Sequence, residues 1–187
     1  MKTAQTFLVI LFLLILISSS AAASTLSIGR GNYNARISRF NSSVGSDITL
    51  ISVGYGQDQY SGVAADLFSS DNASGLEVEY QFIPTSMQDR REKFNYAAKI
   101  GAVSGDIWEE DSSGIKAGVV IERQLDFERK VYFETDVMNT SALVIDSELG
   151  FYGKFSKGVW GILSYKTITH DEYDTAQGFN YGIRIDF

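Results

Sequence analysis

The 187-residue chain has no cysteine. That excludes a disulfide framework and any thiol chemistry. A single proline beside 17 glycines speaks against helical bundles and against a disordered polymer. Basic residues are outnumbered, 16 against 23, for a formal charge of −7. Nucleic-acid binders carry a basic face, so this balance argues against that class. Beyond residue 24 no segment has a long apolar run. What remains is a chain of one-domain size with 13% aromatic residues, a high share for a soluble domain.

The N-terminus is the exception to the missing apolar run. Lys2 gives a positive start, and Phe7 to Ile17 is an apolar core. Its length suits a signal peptide and is short for a membrane span. SSSAAAS follows, with Ala21 and Ala23 as the small residues of a cleavage site. The expectation is a cleaved signal peptide over 1–23 and a mature domain over 24–187 outside the cytoplasm. An uncleaved anchor is the alternative. No cysteine follows the apolar core, so this is not a lipoprotein signal.

In the mature chain, apolar residues recur at every second position, the period of a strand. At the C-terminus Phe179, Tyr181, Ile183, Ile185 and Phe187 alternate with Gly178, Asn180, Gly182, Arg184 and Asp186. The same pattern runs through 76–82, 94–102, 115–122, 130–137 and 145–155. It is weaker over 47–56, 59–68 and 32–40. Over 158–169 it is ambiguous, because Val159, Leu163 and Tyr165 compete with Trp160, Ile162 and Ile168. Polar segments such as NSSVGS, SSDNASG, SGDIWEEDSSG and HDEYDTAQG alternate with GQDQ, PTSMQDRRE, QLDFER and FSKG as turns. The chain therefore predicts an all-β protein of about ten antiparallel strands, or eight if the first two fail.

The polar face carries ionised residues of both signs in mid-strand: Glu77, Glu79, Lys99, Lys116, Glu122, Glu134, Asp136, Asp146, Glu148 and Arg184. The other face is aliphatic, with aromatics toward strand ends. A transmembrane barrel wants apolar residues outward and polar residues inward. Closure also pairs every backbone group, as lipid requires. The expected fold is a closed antiparallel up-and-down transmembrane β-barrel with those ten charges facing the lumen. A soluble lipocalin-like barrel would show the same alternation with its apolar face inside.

The closing residues NYGIRIDF resemble the C-terminal signal of bacterial outer-membrane barrels, with Asn180, Gly182, Ile185 and Phe187 at the patterned positions. In size the mature chain is similar to the OmpA/OmpX type. KIGAVSGD and GIKAGVVIERQL look like the poorly characterised YfaZ-like group. The resemblance implies the bacterial outer membrane, contact with its lipids and lipopolysaccharide, and assembly through periplasmic chaperones and the barrel-insertion machinery.

No catalytic, cofactor or metal site is expected. His170, the one histidine, sits in THDEYD. Outer-membrane lipid A deacylases use His-x-Ser, but Asp171 and Glu172 follow here, so the sequence reads as a solvated loop histidine. WEEDSS (108–113) and DEYD (171–174) cluster carboxylates without calcium-loop spacing. DRREK (89–93) reads as a periplasmic turn. Asn41, Asn72 and Asn139 stand in glycosylation sequons that mean nothing in a bacterium. Barrels of about eight strands are filled by side chains, and open channels come with about sixteen. A structural or surface-contact role with a plugged interior is therefore expected. A narrow channel for ions or small solutes is the alternative, with a lipid-modifying enzyme and a soluble periplasmic barrel behind it.

Overall fold

The computed structural model describes residues 28, 30–71, 73–85, 94–107, 110–171 and 173–187, with backbone alone at 107, 110 and 111. The proposed signal peptide and DRREK lie outside these residues. So do Asn72, Trp108, Glu109 and Glu172.

Ten strands are present among the described residues. They are β1 (Tyr33–Phe40), β2 (Ile48–Gly56), β3 (Ser61–Ser69), β4 (Ser74–Phe82), β5 (Asn95–Ile107), β6 (Glu110–Gln124), β7 (Arg129–Asn139), β8 (Leu143–Ser156), β9 (Val159–His170) and β10 (Ala176–Asp186). Each pairs antiparallel with its chain neighbour, and β1 pairs with β10 to close the barrel. Closure runs from Asn34↔Asp186 to Phe40↔Asn180. Phe187, one residue past β10, extends the seam: its N–H donates to the Tyr33 carbonyl at 2.9 Å.

Two-residue periodicity decides the faces. Along β10, Asn180, Arg184 and Asp186 are buried while Phe179, Tyr181 and Ile183 are exposed. Along β4, Glu79 and Gln81 are buried while Leu76, Val78 and Tyr80 are exposed. The outer surface is therefore apolar, from Ile37 on β1 through Ile100, Ile115, Leu149 and Leu163 on the later strands. A continuous apolar exterior of this kind needs a nonaqueous neighbour. The faces run opposite to those of the lipocalin-like alternative. Aromatics collect at the turn end, where Tyr33, Tyr55, Tyr80, Phe94, Phe127 and Phe155 are exposed. At the loop end the outer face turns polar, and Arg39 points outward to meet Asp47 at 2.8 Å. Thr135 and Ser147, paired across β7 and β8 on the outer face, satisfy each other with a 2.9 Å hydrogen bond.

Two expectations change. SGDIWEEDSSG was expected as a loop, yet β5 and β6 pair out to Ile107↔Glu110. Polar Ser and Asp extend the hairpin past the apolar belt, where strand pairing no longer needs an apolar face. The ambiguous segment 158–169 resolves as β9 with Trp160, Ile162 and Ile168 buried inward and Leu163 and Tyr165 exposed. Its lumen face is apolar at Trp160 and Ile162, which pack against Tyr132 and Tyr152 inside the barrel, and polar beyond them at Ser164 and Lys166.

The short connections lie at one end. Lys157 and Gly158 link β8 to β9, and Gly158 takes the left-handed conformation (φ 73°) that tight hairpins demand. In the β6–β7 turn, the Arg129 guanidinium hydrogen-bonded to Asp126 holds that carboxyl below its usual range. In the β2–β3 turn, the Tyr60 N–H bound to Asp58 does the same.

Candidate functional site

The lumen is arranged in three layers. At the turn end, Ile28 and Ile83 pack with Ala97 and Val120, against Tyr60. On β7, β8 and β9, Tyr132, Tyr152, Trp160 and Ile162 form a second apolar cluster. The Lys130 ammonium lies 5.2 Å from the centre of the Trp160 ring and 3.4 Å from Glu122. Tyr132 fits because its cross-strand partner is Gly150: a Cβ there would collide with the tyrosine ring.

The middle layer is a network of ionised side chains. Lys99 sits among Glu79, Glu134 and Asp136. Lys116 reaches Glu77 at 2.5 Å, Glu79 at 3.0 Å and Asp136 at 3.3 Å. Glu148 accepts hydrogen bonds from Arg36 (3.0 Å), Ser164 (2.7 Å) and Asn180 (3.1 Å), and also from the Tyr132 hydroxyl. Lys166 lies 2.5 Å from Asp146 and 3.8 Å from Glu148. Near the turn end Arg184 pairs with Asp186 at 2.8 Å. Buried charge is tolerable only when paired in this way. The side chain of Lys99 has no exposed surface, and Glu122 has none either.

All ten charges singled out in the sequence point into the lumen. Eight join the mid-barrel network or its edges, while Glu122 and Arg184 serve the turn end. Three members escaped the sequence reading. Arg36 lay in the least secure strand, Lys166 in the strand of ambiguous face, and Asp66 in a weak strand. Asp66 is the cross-strand partner of Glu77. Position parity was the available signal: Arg36 alternates with the outward Ile37, and Asp66 with Leu67.

The third layer is a cup at the loop end, about 570 Å³ in volume. Phe40, Ile48, Leu50, Phe68, Met138, Val144, Ile168 and Ala176 wall it, and Glu77, Asp146, Lys166 and Asn180 lie at its base. His170 is not a solvated loop residue, as the sequence had suggested. It ends β9, buried, with its ring 4.6 Å from that of Tyr173 and Nδ1 3.5 Å from Asp171. The ring is buried and meets Tyr173 edge to face, which the loop-like sequence context concealed. Among the described residues no group of three or more His, Asp and Glu side chains is arranged to hold a metal ion.

Of the closing-strand residues, Asn180 is buried and donates to Glu148. Gly182 faces Ser38 on β1, while Ile185 and Phe187 are half-buried at the seam.

No family model matches the chain, and no curated protein matches it, so the YfaZ-like resemblance gains no support. Solved structures do match. A KdgM porin is 9% identical, with 83% of this chain and 99% of that one covered and a TM-score of 0.49. A de novo designed transmembrane β-barrel is 7% identical, covering 84% and 96%, also at 0.49. The outer-membrane channel DcaP of Acinetobacter baumannii is 10% identical, covering 91% of this chain and 55% of that one, at 0.39. At these identities the likeness extends to barrel architecture alone.

Proposed function

We propose that the protein is a small barrel of the bacterial outer membrane whose lumen is plugged, and that it acts through its surface and loops in envelope structure or contact. The carrying observation is the middle layer, where Lys99, Lys116, Glu79, Asp136 and Glu148 are all almost inaccessible: Lys99 and Lys116 bind Glu79 and Asp136, and Glu148 binds Arg36, three strands away around the barrel. Ions would have to break several of these pairs to pass. The apolar exterior and turn-end aromatics support a bilayer setting. Outer-membrane lipids and lipopolysaccharide are the proposed surroundings. The Asn180, Gly182, Ile185 and Phe187 pattern is the proposed address for the insertion machinery, reached by way of periplasmic chaperones. Residues 1–23 are the proposed signal peptide. The burial of His170 beneath Tyr173, without a serine at deacylase spacing, does not favour a lipid-modifying enzyme.

Planar-bilayer recording of the refolded chain tests the plug. Insertion without stepwise conductance is expected. Regular conductance steps from the native sequence would overturn the plugged reading in favour of a narrow channel.

A further inference from the structure

The cup at the loop end has a composition that neither a plug nor a water-filled vestibule needs. Its walls are apolar side chains from several strands, among them Phe40, Leu50, Phe68, Val144 and Ile168. A vestibule for hydrated ions would be polar. A plug would fill the space, yet about 570 Å³ stays open. That volume lies in the range of about 300–1,000 Å³ usual for small-ligand sites.

The base of the cup is electrically unbalanced. Lys166 is already matched by Asp146 at 2.5 Å, with Glu148 at 3.8 Å. Glu77 bonds Lys116, which Glu79 and Asp136 share. At the base itself one cation, Lys166, thus stands with two carboxylates, Glu77 and Asp146. Carboxylates are in excess beneath an apolar sleeve, and ionised carboxylates only accept hydrogen bonds.

We propose that the cup binds a small amphiphilic cation, with its alkyl or aryl body against the wall and its ammonium on the carboxylates of Glu77 and Asp146. The apolar wall takes the body out of water. The ammonium supplies both donors and the missing positive charge. An anion of the same shape would meet the excess carboxylates. A neutral alcohol would gain the wall contacts alone. That the cup opens to the cell exterior rests on the outer-membrane reading, but the binding itself does not. The conductance experiment reports on the middle layer and this one on the cup, so either can fail alone.

Met138 lines the cup and provides the probe. The full mature chain, labelled with ¹³C-methyl methionine and refolded in phosphatidylcholine nanodiscs, is titrated with octylammonium, octanol and octanoate. A saturable shift of the Met138 methyl is expected, with octylammonium at least tenfold tighter than octanol and octanoate weakest. In the Glu77→Gln/Asp146→Asn variant each lysine keeps another carboxylate. Octylammonium should fall to the octanol level there, with octanol unchanged. Equal affinities for the three compounds, or no saturable shift at Met138, would overturn the proposal. If the double variant does not refold, the order of the three ligands on the native chain decides the matter by itself.

Discussion

Lys99 is the least exposed cation among the described residues. Its ammonium has no exposed surface and lies among Glu79, Glu134 and Asp136. Removing a partner from a buried ionic set leaves charge without compensation and costs about 3–5 kcal/mol. Lys99→Met is expected to lose that much in a urea refolding titration in detergent micelles. A loss below about 1 kcal/mol would show that water screens the network. Phe133 is the outward counterpart, exposed in mid-strand on β7 next to the inward Glu134. An arginine facing lipid near the midplane costs about 2–4 kcal/mol. Phe133→Arg should therefore refold into lipid vesicles far less stably than Phe133→Leu. Equal stability of the two would place residue 133 outside the apolar belt. These residues were legible because alternation assigns every side chain a face. Partners across the bore were not, since Arg36 and Glu148 lie 112 positions apart and no local pattern connects them.

At the scale of the element, strands declared themselves best where the lumen face was charged. β4, β6, β7 and β10 have polar and apolar faces that differ sharply, so strand and orientation were both plain. β9 was not, because Trp160 and Ile162 put apolar bulk on the lumen side to pack with Tyr132 and Tyr152. The β5–β6 hairpin was cut short in the sequence reading because its Ser- and Asp-rich tip resembles a turn, although its backbone pairs to Ile107↔Glu110. β10 illustrates two demands on one segment. Asn180 stabilises the lumen through Glu148, while the Phe187 backbone completes the seam with Tyr33. Losing one aromatic ring forfeits at most about 1.5–3 kcal/mol of transfer free energy. Deleting Phe187 should leave detergent refolding nearly intact but cause degradation before assembly in cells, read as loss of the heat-modifiable band from outer-membrane fractions. Normal assembly of the deleted chain would remove the proposed address role.

At the scale of the whole molecule, the architecture is a barrel turned inside out relative to a soluble one, with charge in the middle and apolar residues outside. Closure makes each feature depend on the others. Paired edges let the backbone meet lipid, and the narrow bore forces lumen charges into mutual contact. The absence of native cysteine makes a direct check clean, because any introduced thiol is unique. Adjacent positions on two strands serve: Ile37→Cys and Leu163→Cys on the exposed face, Ser38→Cys and Ser164→Cys on the buried face. Each single-cysteine chain is refolded in lipid vesicles and carries a nitroxide, and its collisions with molecular oxygen and with a water-soluble nickel chelate are compared. The account predicts that oxygen, concentrated in lipid, dominates at 37 and 163, while neither relaxant reaches 38 and 164 well. Dominance of the nickel chelate at 37 and 163 would put the apolar face in water and contradict the membrane barrel.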